Sequence, residues 1–75
     1  MSNETVYSDI AASVWKIETN VGEQVSEEDT LMILESMKME IPVESPVSGT
    51  ILEICVSENE VVQEGQPLAI VKLAG

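Results

Sequence analysis

Apolar positions in this chain come in short clusters closed by polar, glycine or proline residues, which is the rhythm of brief β-strands. Val14-Trp-Lys-Ile-Glu and Ile51-Leu-Glu-Ile-Cys-Val are rich in β-favouring residues. Thr30-Leu-Met-Ile-Leu and Pro67-Leu-Ala-Ile-Val read as two further strands. Gly22-Glu and Asn59-Glu mark turns, because glycine and asparagine both tolerate the left-handed backbone region. Pro42, Pro46 and Gly49 oppose any long helix through the middle of the chain. On propensity alone, Leu31–Met39 passes for a helix. Its place in a repeat argues for a strand instead.

That repeat is exposed by shifting the chain 37 residues, which lays Val14–Glu35 on Ile51–Lys72 without a gap. The shift superposes Val14 on Ile51, Ile17 on Ile54, Val25 on Val62, Leu31 on Leu68 and Ile33 on Ile70. Two copies are too few for a solenoid, so the halves are expected to close on each other as a pseudo-symmetric unit. The pattern predicts an all-β domain, a flattened barrel of short antiparallel strands with few open edges. A single domain is expected over residues 1–75, with residues 1–7 as a flexible N-terminal tail.

Between the halves lies Glu35-Ser-Met-Lys-Met-Glu40, a polar-flanked break separating Leu31–Leu34 from Ile41–Val43. Two apolar runs spaced this way predict a hairpin with Met37-Lys38 near its tip. Neither residue is a usual tight-turn former, so the side chains rather than the turn are the requirement. A lone lysine is nearly always a solvated charge, and methionine is usually core filler. Two methionines beside one lysine at a turn are hard to bury, and they look like a recognition surface.

Composition excludes much other chemistry. The chain has no histidine, which removes the usual general base and imidazole metal ligands. Its one cysteine, Cys55, forms no internal disulfide or thiolate metal site and is expected as a packed or half-buried strand thiol. No phosphate-binding glycine loop appears. Fourteen acidic residues against three lysines (Lys16, Lys38 and Lys72) give a net charge of −11, which disfavours nucleic acid and anionic membranes as partners. No apolar run approaches the roughly 20 residues of a membrane span. The N-terminus lacks the features of a signal peptide, so a cytoplasmic, non-catalytic protein with no metal site is expected.

Glu35-Ser-Met-Lys-Met-Glu resembles the attachment motif of biotinyl domains, Glu-(Ala/Ser)-Met-Lys-Met. Pro46-Val-Ser-Gly49 and both copies of the repeat extend the resemblance over about residues 8–73. It implies a barrel-sandwich hybrid of two four-stranded sheets with pseudo-twofold symmetry, and Lys38 on an exposed hairpin opposite the chain termini. Biotin would be joined to the Lys38 amine by a biotin protein ligase that reads Met37 and Met39. A biotin carboxylase site would load the ureido nitrogen with carboxylate, and a carboxyltransferase site would pass it to an acceptor, as the resemblance implies an acyl-CoA. The chain's size resembles the small carrier subunits of acetyl-CoA carboxylase-type enzymes of fatty acid biosynthesis. A lipoyl carrier, or one taking both groups, is the nearest alternative, although lipoyl hairpins typically read Asp-Lys-Ala. An unmodified acidic β interaction module is the alternative from another class.

The sequence departs from the family pattern at turns. Ala12, Glu28 and Asn59 stand where the family usually has glycine, while Gly65 keeps its place in the second half. These changes are expected to strain turns without touching the lysine. The ungapped repeat also leaves no room for the protruding thumb of some bacterial carriers.

Overall fold

Eight strands follow one another along residues 2–74, the part of the chain that the structure, a computed structural model, describes. They are β1 (Asn3–Tyr7), β2 (Ala12–Ile17), β3 (Gln24–Val25), β4 (Thr30–Ser36), β5 (Met39–Glu44), β6 (Gly49–Ile54), β7 (Val61–Val62) and β8 (Pro67–Leu73). One antiparallel sheet has the order β1-β8-β6-β3, and the other has the order β5-β4-β2-β7. These are the two four-stranded sheets expected. Leu31–Ser36 is strand, so the repeat outweighs the helix propensity of that stretch.

The 37-residue shift carries β2, β3 and β4 onto β6, β7 and β8 with identical bounds. It also carries β1 onto β5, so the duplication takes in every strand. The expected flexible tail over residues 1–7 is therefore corrected for the described part. Asn3–Tyr7 is an edge strand paired antiparallel with β8, and Val6 is buried in the core. Met1 lies outside the described residues. An edge strand that sends one apolar side chain inward leaves little hydrophobic signature, which hides Asn-Glu-Thr-Val-Tyr from pattern reading.

The core is built from symmetry mates. Val14 with Ile51, Leu31 with Leu68, Leu34 with Val71, and Met32 with Ala69 are all essentially inaccessible to solvent. Matching bulges interrupt the ladders beside Trp15 and Leu52, and both side chains are 46% exposed. The bulges turn two large apolar residues outward at the same place in each half.

Loops repeat as faithfully as strands. The buried Ser8 and Ser45 hydroxyls each donate to a carbonyl two residues on, Ile10 and Val47, at 2.6 Å. The Glu28 N–H donates to the Ser45 carbonyl, and its mate, the Gly65 N–H, donates to the Ser8 carbonyl. Gly22, Glu28, Asn59 and Gly65 all have positive φ, at 91°, 77°, 73° and 84°. The turns at Glu28 and Asn59 therefore hold the left-handed backbone that glycine adopts most readily, as expected from their departures.

Gly49 meets a different demand. A Cβ there would fall onto the Lys72 backbone carbonyl. Its mate Ala12 carries that methyl, and the pairing of β2 with β4 begins one step later, at Ser13↔Glu35. In the other sheet Gly49 itself pairs with Leu73. Ser36 is thus paired only with Met39 of β5, and the β4–β5 hairpin stands clear of β2 at its tip.

Candidate functional site

Strands β4 and β5 are joined by two residues, Met37 and Lys38, with φ of 53° and 66°. Positive φ at both central positions is the type I′ geometry, whose twist matches that of the flanking strands and which normally selects Asn-Gly. A side chain in this region costs about 1–2 kcal/mol per residue relative to glycine-like freedom. The expected hairpin is present with Met37-Lys38 at its tip.

Nothing in the packing compensates that cost. Met37 is 91% exposed and Met39 65%, and Lys38 is exposed as well. Ser36↔Met39 is the first cross-strand pair below the turn, followed by Glu35↔Glu40 and then Leu34↔Ile41. Leu34 is buried, so alternation sends Glu35 and Glu40 to the outer face, where like charges stand directly opposite each other. The loop thus combines two strained residues, two exposed thioethers and a destabilising carboxylate pair around one amine. These are the marks of a surface shaped for recognition rather than stability.

The other two lysines sit differently. Lys16 lies on β2, paired on both sides, and reaches Glu18 at 3.7 Å. Lys72 lies on β8 between β1 and β6. No ion pair holds Lys38 among the described residues. A primary amine at a turn, free of an ion pair, suits a group joined to the chain by an amide. Met37, Lys38 and Met39, the three residues expected at the site, are brought together on one hairpin tip.

Cys55 follows β6, half-buried, and its N–H donates to the Leu68 carbonyl at 2.9 Å. Burial raises its thiol pKa above the ordinary value, and the Glu53 carboxylate adds to the effect. It takes no part in the hairpin.

What residue reading missed is the support beneath the tip. Ser45, at the foot of β5, accepts from Glu28 through its carbonyl and donates its own N–H to the Asp29 carbonyl. This fixes where β5 ends. The signal was the same 37-residue shift, which sets Val6-Tyr-Ser-Asp-Ile over Val43-Glu-Ser-Pro-Val.

A family model described as "Biotin-requiring enzyme" matches residues 5–71. The chain is 41% identical over 68 residues to the Biotinylated protein TB7.3 homolog of Mycobacterium leprae, covering 91% of this chain and 96% of that protein. It is 39% identical over 64 residues to the Biotin/lipoyl attachment protein of Bacillus subtilis, covering 85% and 88% respectively. In three dimensions it superposes on part of the Kluyveromyces lactis urea carboxylase with a TM-score of 0.90 and 29% identity. That match takes in 96% of this chain and 6% of the larger one. A match across nearly all of its length, in a fold duplicated strand for strand, places this chain in the biotin/lipoyl attachment family.

Proposed function

We propose that this chain is a biotin carboxyl carrier in which Lys38 bears the biotin, and Met37 and Met39 present that lysine to a biotin protein ligase. The observation that carries the reading is the hairpin turn. Two non-glycine residues hold positive φ at its tip, and both point into solvent.

The chemistry asked of the chain is modest. The Lys38 amine gives up a proton and attacks the activated biotin carboxyl, forming an amide and expelling the activating group. The ammonium charge is lost, which makes the chain one unit more negative than −11. When bound, biotin supplies a ureido nitrogen able to take up and give back a carboxyl group. The turn and the Ser36–Met39 pair hold that tether just beyond the end of β2. Tethering raises the effective concentration of the cofactor at both a biotin carboxylase site and a carboxyltransferase site. The acidic surface favours encounter with basic clefts on those partners. The acceptor in this reading is an acyl-CoA, as for an acetyl-CoA carboxylase-type enzyme.

A lipoyl carrier is the second reading, favoured by one observation: a relative spanned over 88% of its length is named for both groups. Intact mass of the protein purified from its own host separates the two. A single biotinyl increment supports the proposal. A lipoyl increment, or an unmodified chain under biotin-replete growth, would overturn it.

A further inference from the structure

A cleft of about 460 Å³ runs between β1, the edge of one sheet, and β5, the edge of the other. No Cα of β1 lies within 8 Å of β5. Paired strands sit about 4.7–4.9 Å apart, so the sheets are open along this side. Leu34 and Ile41 line the interior, Tyr7 flanks it, and Glu4, Asp9 and Glu44 add carboxylates. No lysine lines it.

The two edges are not equivalent. The Leu73 N–H donates to the Ser2 carbonyl at 3.0 Å, which sets the phase of the β1–β8 ladder. Hydrogen-bonded pairs alternate in an antiparallel ladder, so Glu4 and Val6 direct their backbone polar groups to β8. Asn3, Thr5 and Tyr7 turn theirs to the open side. In β5 the repeat puts Pro42 at the place of Thr5, and proline has no N–H to offer. The β5 edge is therefore blunted, while β1 keeps a full set of donors and acceptors.

We infer that the β1 edge is a docking site for an extended, cationic peptide segment of a partner protein, which adds as a strand beside Asn3–Tyr7. Main-chain bonds to Thr5 supply the register, and alternate side chains enter the cleft. Lysines or arginines on the segment meet Glu4, Asp9 and Glu44. A second copy of this chain is a poor occupant, because it brings the same negative charge to the same carboxylates.

Two capped hexapeptides, one alternating Lys with Val and one alternating Glu with Val, test this by amide chemical shifts and hydrogen exchange. The lysine peptide should shift the Asn3, Thr5 and Tyr7 amides and slow exchange at Thr5 at least tenfold, weakening as salt rises. Thr5→Pro, which gives β1 the same blunted edge that Pro42 gives β5, should retain the dispersed spectrum and reduce affinity at least tenfold. Should that variant unfold, the double change Glu4→Lys and Glu44→Lys should give the same loss of binding. No shift with the lysine peptide, an equal response to the glutamate peptide, or full affinity in a folded variant would overturn the inference. So would shifts at β1 that follow protein concentration without peptide, which would give the edge to a second copy.

Discussion

Glu28 and Gly65 occupy the same turn in the two halves and hold the same left-handed backbone, with φ of 77° and 84°. Each N–H donates to the carbonyl of the mate serine, Ser45 or Ser8. The geometry is thus fixed by the fold, and glutamate adopts it at a cost glycine does not bear.

Glu28→Gly should therefore stabilise the domain. Relief of about 1–2 kcal/mol of left-handed strain is partly offset by the 0.5–1 kcal/mol of extra freedom glycine gains when unfolded. A net gain of up to about 1.5 kcal/mol is expected in urea melts. Asn59→Gly, at the mate of Gly22, should change stability by less than about 0.5 kcal/mol, because asparagine tolerates this region. A loss of stability in Glu28→Gly would mean that its side chain supports the turn in another way.

Leu31 and Leu68 are both fully buried at equivalent bulges. Leu31→Ala and Leu68→Ala should each cost about 2–5 kcal/mol, a large share of the stability of so small a domain. Equilibrium unfolding that found either variant neutral would contradict the two-sided core.

Much of this architecture was legible in the residues, for reasons particular residues make plain. Val14, Leu31, Ile51 and Leu68 recur at one spacing because the fold uses each twice. The motif around Lys38 was visible because its methionines and lysine fit neither a turn nor a core. β1 was not visible, since Asn3–Tyr7 buries a single valine and takes its order from the β8 backbone. The hydrogen bonds of Ser45, and the way Ala12 delays pairing at Ser13, are likewise backbone relationships that composition does not report.

Cys55 offers a check on the second half. Its thiol is held protonated beyond the usual range by burial and by Glu53, so the thiolate forms only at higher pH. Alkylation by iodoacetamide at about pH 8 should be slower in the folded protein than in urea, and should rise as pH increases. Equal rates in the two states would show an open, unperturbed thiol.

The role of Lys38 can be separated from folding by one substitution. The wild-type chain and Lys38→Arg are each incubated with biotin protein ligase, ATP and biotin, then mapped by peptide mass. Arginine keeps the charge but offers no free amine, and an exposed tip tolerates it within about 0.5 kcal/mol. The wild type should gain one biotin, on Lys38, with Lys16 and Lys72 untouched, while the variant folds normally and gains none. Biotin on Lys16 or Lys72, or on a folded Lys38→Arg chain, would show that the hairpin lysine is not the point of attachment.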